Sequence, residues 1–348
     1  MIELRSDTFT LPTDAMREAV SCSTLGDDVY GEDPTVCALE ELAAHKLGKE
    51  AACLMPSGTM ANLTAIMAHC PRGSKVLVGN ESDIFIYEAG GASVCGGITY
   101  DPIPTQPDGQ LSLHDLAESF PDDPMDPQFA LPALICLENT HNRCGGTILP
   151  LEYLQQISQF ARARELPVHL DGARIFNAAI ALDIDPSEIT KYVTSVQFCL
   201  SKGLAAPIGS MVVGDSTFIN CTRRIRKMLG GGMRQAGIIA AAGIVALEQM
   251  IDRLSEDHRN ARRLAEGLAR FSELQINLNA VQTNIVIFRV IDERFSWQSF
   301  IAAAYRRGLH LGEIGHGNIR AVLHYGITEK QVDDSLSILE EVCHHGPD

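Results

Sequence analysis

Two apolar runs in this chain each stop at a charged residue: Leu166-Pro-Val-His-Leu-Asp171-Gly-Ala-Arg174 and Ser195-Val-Gln-Phe-Cys-Leu-Ser-Lys202-Gly203. Both have the length and composition of buried strands, and a turn signal follows the polar residue each time. In a parallel sheet, consecutive strands deliver their C-terminal ends to one edge, where α/β folds hold ligands. The pattern therefore predicts that Asp171 and Lys202 converge at that edge.

The rest of the chain supports an α/β layout. Strands are expected at Lys75–Gly79, Ala133–Glu138, Pro167–Asp171, Val193–Leu200 and Ile208–Gly214, and helices at Thr35–Leu47, Thr59–His69, Leu151–Arg164 and Ser216–Met228. That rhythm means helices packed on a mostly parallel sheet. Beyond Gln235 the pattern changes to a long alanine-rich helix reaching about Leu254, then a charged helix over Glu256–Phe271. A strand (Asn284–Val290), a helix (Trp297–Arg307), a short strand pair (Leu309–Gly312 and Asn318–Leu323) and a last helix near Thr328–Cys343 follow. The reading is a large domain over residues 1–245 and a small C-terminal α+β domain over 246–348.

Composition narrows the function by exclusion. Hydrophobic residues make up 45% of the 348 and charged residues 21%, ordinary for a chain that buries a sizeable core. The formal charge of −16 and the lack of a basic stripe argue against a nucleic-acid partner. The longest apolar stretch, around Ile238–Leu247, is too short for a membrane span, and the charged N-terminus does not read as a signal peptide. Ten cysteines show no CxxC pairing, and several lie inside apolar runs, so they read as reduced structural thiols. The expectation is a soluble, cytoplasmic protein with no metal site.

Three local patterns then point to one chemistry. Met55-Pro-Ser-Gly58-Thr59-Met-Ala-Asn62 puts small residues just before a helical run, where free amides suit a phosphate. Alone it is an ordinary helix cap. Joined to Asp171 and Lys202, it completes the contacts that pyridoxal phosphate needs: an acid for the pyridine nitrogen, an amine for the aldehyde and amides for the phosphate. Lys202 enters from an apolar run and is followed by the uncharged Gly203-Leu-Ala-Ala-Pro-Ile-Gly-Ser210, which predicts a desolvated lysine of depressed pKa. Arg174 follows Asp171 by three residues, and Arg320 lies in an apolar strand; either suits a substrate carboxylate. Gly230-Gly-Gly-Met-Arg234-Gln reads either as a capping loop or as a flexible turn whose cation reaches a phosphate, in its own subunit or across a subunit boundary.

Leu4-Arg-Ser-Asp-Thr8, Gly26-Asp-Asp-Val-Tyr-Gly-Glu-Asp-Pro34, Glu138-Asn-Thr-His141, Asp171-Gly-Ala-Arg174, Cys199-Leu-Ser-Lys-Gly203 and Gly230-Gly-Gly-Met-Arg-Gln235 together resemble the low-specificity L-threonine aldolases, over essentially the whole chain. The resemblance implies fold type I of the pyridoxal-phosphate enzymes, an α/β fold whose large domain has a mostly parallel seven-stranded sheet flanked by helices. It implies retro-aldol cleavage of L-threonine, L-allo-threonine or a related β-hydroxy-α-amino acid to glycine and an aldehyde. Carried over, Lys202 is the Schiff-base lysine and Asp171 the partner of the pyridine nitrogen. Gly58 and Thr59 bind the phosphate, with Arg234 reaching it from a neighbouring subunit. Arg174 serves both the cofactor and the substrate: with Ser6 and Arg320 it holds the substrate carboxylate, while Tyr30 and Tyr87 line the pocket. Family members are tetramers built from dimers, with active sites at the dimer interface.

The chain departs from the pattern where the family carries a histidine stacked on the cofactor ring: here Asp83 stands in Glu81-Ser-Asp83-Ile-Phe-Ile-Tyr-Glu88. Gln128 replaces a second family histidine. Asp83 cannot stack as an imidazole does, but it can accept a proton and adds negative charge beside the cofactor. It is thus read as both cofactor-binding and catalytic. The departure also leaves open another reaction on the same scaffold, such as β-elimination, racemisation or transamination.

Overall fold

The computed structural model describes residues 1–346. A short strand β1 (Ile2–Glu3) precedes seven strands of one sheet: β2 (Ala51–Met55), β3 (Lys75–Gly79), β4 (Thr99–Ile103), β5 (Pro132–Glu138), β6 (Val168–Asp171), β7 (Ser195–Cys199) and β8 (Ser210–Gly214). Their order is β2-β8-β7-β6-β5-β3-β4. Only β8 runs against its neighbours, pairing antiparallel with β2 and β7. The other pairings are parallel. Every residue of β6, β7 and β8 is buried, as strands covered by helices on both faces must be.

One face of the sheet carries the main core, in which Leu39, Leu77, Ile157, Phe198 and Leu204 pack together. The helix Gly58–His69 packs on β7 and β8 from the other face. Ser57 starts that helix in an extended conformation and its Oγ accepts a hydrogen bond from the Met60 amide at 3.2 Å. Such a cap fixes where the helix begins and aims its first amides along the sheet edge.

The C-terminal part builds a second sheet from β9 (Leu274–Ile276), β10 (Ile285–Val290), β12 (Gly312–Glu313) and β13 (Ile319–Val322), in the order β12-β13-β10-β9. A further strand, β11 (Leu309–His310), pairs in parallel with β1. Ile2 and Leu4 therefore pack with Leu264, Phe288, Phe300 and Leu323, and the N-terminus joins the C-terminal core.

Several elements differ from the sequence expectation. β2 and β4 were not foreseen. β4 contains Pro102, which a central strand would reject, but β4 is the sheet edge and tolerates it. The expected pairing of Leu309–Gly312 with Asn318–Leu323 is split: Leu309–His310 joins β1, and only Gly312–Glu313 pairs with β13. The long alanine-rich helix ends at Gln249, and the charged helix runs over Leu254–Leu268. Among the described residues, no helix is long and apolar enough to cross a membrane.

Candidate active site

Asp171 is the last residue of β6, and Lys202 lies just past the end of β7. Because the two strands are parallel neighbours, both residues reach the same sheet edge. They line one pocket of about 360 Å³ together with Gly58, Thr59, Asp83, Tyr87 and Glu88. The amides of Met60 and Ala61 are taken by Ser57 Oγ and by the Ser57 carbonyl. That leaves the amides of Gly58 and Thr59 as open donors at the pocket wall. A Cβ on Gly58 would sit 3.0 Å from Cys199 Sγ, so the helix approaches the sheet closely here and a larger residue would press on Cys199.

The carboxylate of Asp171 is held on both oxygens. Gln197 Nε2 donates to Oδ1 at 2.5 Å and the Ala173 amide at 3.0 Å, while Asn62 Nδ2 donates to Oδ2 at 2.8 Å. Asn62 Nδ2 also donates to Glu88 Oε1 at 2.7 Å. Burial raises the Asp171 carboxyl above its ordinary range and Asp83 adds to this, with Lys202, Asn62 and Gln197 pulling the other way. Glu88 is pushed well up by burial and by Asp171 and Asp83. The pocket is thus short of positive charge. Burial works against the Lys202 ammonium, yet Cys199, Asp83 and Asp7 outweigh it despite Arg174, so the amine is held above its ordinary pKa. This corrects the expected depression: desolvation acts, but the surrounding acids win.

Asp83 opens a short helix, Asp83–Ile86, and its backbone amide donates to Glu138 Oε2 at 2.7 Å. Glu138 Oε1 accepts from the Asn142 amide at 2.8 Å. Asn142 Nδ2 then reaches Asp83 Oδ1 and Oδ2 at 3.0 and 3.3 Å, and its Oδ1 accepts from Arg320 Nη1 at 2.6 Å. Arg320 Nη2 donates to the Arg5 carbonyl at 2.9 Å, and its buried Nε has no partner among the described residues. Arg174 donates through Nε and Nη2 to the two oxygens of Asp7, both at 2.7 Å. Burial and the proximity of Arg174 depress the Arg320 pKa. Arg174 alone is paired with the buried Asp7, which Arg320 feels only through its charge, so two neighbouring guanidinium groups have one carboxylate between them, a setting that favours a further anion.

Residues 3–291 match the family model described as beta-eliminating lyase. The low specificity L-threonine aldolase of Escherichia coli (strain K12) is 49% identical over 293 residues, covering 84% of this chain and 86% of the relative. A probable low-specificity L-threonine aldolase of Arabidopsis thaliana is 42% identical over 345 residues, 99% of this chain and 97% of the relative. The chain belongs to the low-specificity L-threonine aldolase family. Its fold agrees: a threonine aldolase structure from Leishmania major superposes with a TM-score of 0.82 at 17% identity, over 99% of this chain and all of that one (100%).

Not every residue carried over from the aldolase family falls in the pocket. Arg234 Nη1 pairs with Asp27 Oδ2 at 2.9 Å, and its guanidinium lies 5.9 Å from the Tyr30 ring centre on the outer surface. Neither lines the pocket of its own chain. Gln128 is exposed and bonds to Asp126, outside the pocket of its own chain. Ser6 caps a turn, accepting from the Thr8 amide at 3.2 Å, one residue before Asp7. Tyr87 lines the pocket mouth, and its OH accepts from Arg143 Nη1 at 2.9 Å.

Sequence reasoning assigned no role to Asp7, Asn62, Glu88, Glu138, Asn142 or Gln197. All six stand in or beside segments already quoted, and for Asn62 and Gln197 a polar residue in an apolar run was the available signal. Asn62 and Gln197 each interrupt such a run and are buried, 1% exposed in both cases.

Proposed function

We infer that the chain is a pyridoxal-phosphate-dependent aldolase that cleaves L-threonine, L-allo-threonine or a close β-hydroxy-α-amino acid to glycine and an aldehyde. The observation that carries this is the meeting of Asp171, Lys202 and the open amides of Gly58 and Thr59 in one pocket. The residues fit the cofactor. A pocket with Asp83, Glu88 and Asp171 on its wall suits a protonated pyridine nitrogen, and the two free amides suit a phosphate. When bound, pyridoxal phosphate supplies an aldehyde for the substrate amine and a ring that accepts the electron pair of the broken Cα–Cβ bond.

Lys202 Nζ is the amine that would hold the cofactor. Asp171, fixed by Asn62 and Gln197, would keep a proton on its ring nitrogen. Arg320 offers its unpartnered Nε to the substrate carboxylate, and Arg174 offers the Nη1 that Asp7 leaves unused. Gripping that carboxylate would fix how the substrate's Cα is turned in the pocket. Asp83 takes the β-hydroxyl proton, held in place by Asn142. Since Asn142 also holds Arg320, the groups for the carboxylate and for the hydroxyl are tied by one side chain.

The reading also includes a homotetramer built from dimers. Its support is that, among the described residues, Lys202 is the one cation in the pocket lining, Arg174 and Arg320 standing behind it, while Arg234 and Tyr30 stand exposed beside each other on the surface, with Tyr30 73% exposed. Each site then takes Arg234 from a neighbour. The reading keeps two domains, 1–245 and 246–348, on the support of two separate cores, although the main core runs on to Leu254 and the second takes in Ile2 and Leu4. A cytoplasmic location agrees with ten cysteines, all free.

The deciding experiment is product analysis of the cofactor-loaded protein with L-threonine and L-allo-threonine. Glycine and aldehyde in equal amounts, lost in Lys202→Ala, are expected. Ammonia with a 2-oxo acid instead would overturn the assignment.

A further inference from the structure

Behind Asp171, a line of buried polar side chains crosses the otherwise apolar interface between the helix Gly58–His69 and the sheet. Asn62 Nδ2 bonds to Asp171 Oδ2 at 2.8 Å and Asn62 Oδ1 to His169 Nε2 at 3.0 Å. His169 Nδ1 lies 2.9 Å from Ser195 Oγ, and Ser195 Oγ lies 2.8 Å from His69 Nε2. Asn62 and His69 are seven positions apart in the helix, so they share one face two turns apart. His169 and Asp171 are alternate residues of β6 and point to the same side. Ser195 comes from β7. No atom of these four side chains is among the buried groups left without a partner.

The direction of the line follows from its first member. Both hydrogens of the Asn62 amide are committed, one to Asp171 and one to Glu88. Its oxygen can only accept, so His169 carries its proton on Nε2. His169 Nδ1 is then bare and accepts from the Ser195 hydroxyl. The Ser195 oxygen in turn accepts from His69 Nε2–H. Every link donates toward Asp171.

We propose that Asn62, His169, Ser195 and His69 form a one-way hydrogen-bond line that positions Asp171 and keeps it an acceptor for the ring nitrogen of the cofactor. This deepens, and rests on, the pyridoxal-phosphate reading. A buried acid beside Asp83 and Glu88 is prone to take up a proton itself, and four aligned dipoles oppose that. The line does not pass a proton, because the Asn62 amide has none to give up. It works by orientation alone, and its members are positioning residues. Burying them unpaired would be costly, and the two on the helix, Asn62 and His69, meet the two on the strands, His169 and Ser195, in register.

The first test uses protein with ¹⁵N-labelled histidine, with and without pyridoxal phosphate. Long-range ¹H–¹⁵N spectra are expected to show His169 protonated on Nε2 and bare on Nδ1 in both states. Protonation on Nδ1 would overturn the proposal. This readout stands even if the protein takes up no cofactor, an outcome that would sink the functional reading and leave the line intact.

The second test separates positioning from packing. His169→Gln keeps a side-chain donor, whereas His169→Leu does not. Cofactor affinity, read from the visible absorbance on titration, is expected to fall about tenfold in the Leu variant, a loss on the scale of one hydrogen bond, and to stay near wild type in the Gln variant. Equal loss in both, or loss in neither, would overturn it. Should His169→Leu not fold, Ser195→Ala removes one hydroxyl from the same line and is expected to shift affinity in the same direction. Unchanged affinity there would count against the proposal.

Discussion

Arg174 and Asp7 meet through two hydrogen bonds of 2.7 Å with both side chains shut off from solvent. Burial would raise the Asp7 carboxyl, but Arg174, Lys202 and Arg320 hold it well below the usual carboxylate range. The pair joins the N-terminal segment to the turn after β6, so it orders the chain around the pocket as well as fixing one guanidinium.

Asp7→Asn is therefore expected to lower stability by about 3–5 kcal/mol at neutral pH, since it leaves a buried guanidinium unpaired. The sign of the pH dependence follows from the depressed pKa. An acid held low in the folded state contributes fully above its unfolded value of about 3.9, and the contribution drains away as pH falls below that. Urea denaturation of both proteins should show a gap that is wide at pH 7 and narrows only below about pH 4. A gap that does not change with pH would mean that the pair contributes nothing through ionisation.

Asp83 brings a carboxylate to the position where the aldolase resemblance leads one to expect an imidazole. That charge favours the protonated form of the bound cofactor, so the pH midpoint of its visible absorbance is expected to lie higher in the wild type than in Asp83→His. If Asp83 takes the β-hydroxyl proton, Asp83→Ala is expected to lose about 10²–10⁴ in kcat, the usual worth of a general base. A full rate in Asp83→Ala would pass that role to water.

The sheet and its ligand edge were legible because β6 and β7 are continuous apolar runs with one charged residue at the end. A strand buried on both faces leaves that trace in any sequence. β2 and β4 left none: Ala-Ala-Cys-Leu-Met is poor in β-branched residues, and Thr-Tyr-Asp-Pro-Ile contains the proline that only an edge strand accepts. In the site, Lys202, Asp171 and Gly58 were readable because each chemistry demands one residue type at one place. Asp7, Asn62 and Asn142 were not, because their roles exist only once distant segments meet. Asn142 bridges Asp83 and Arg320, which come from the two different sheets' neighbourhoods and have no sequence relation.

Of the three guanidinium nitrogens of Arg320, Nη1 and Nη2 bond to Asn142 and Arg5, and Nε has no partner among the described residues. Arg320→Lys keeps the charge but loses the planar fork. It is expected to raise KM for L-threonine by about 10- to 100-fold, the range for losing one charge-assisted hydrogen bond. Asn142→Ala frees both Arg320 and Asp83 and should lower kcat as well. An unchanged KM in Arg320→Lys, measured by steady-state kinetics, would remove Arg320 from the carboxylate site.

The buried histidines set the acid limit of the fold. His169 is 0% and His141 2% exposed, and burial pushes their pKa values down to about 3 and about 4. In the unfolded chain a histidine titrates near 6.5. Between those values the unfolded state binds the proton and the folded state does not, so falling pH favours unfolding. The stability is complete above about pH 6.5 and declines by about 1.4 kcal/mol per pH unit for each such histidine as pH falls toward the folded value. Urea denaturation at several pH values from 7.5 to 4.5 should therefore show a steep loss of stability, with His169→Gln shallower by about one histidine's slope. Gln cannot titrate but keeps a donor for Asn62, so the neutral-pH stability of this variant should fall less than that of His169→Leu. Parallel slopes for wild type and His169→Gln would mean that His169 is already protonated in the folded protein. That outcome would also contradict a bare Nδ1 facing Ser195.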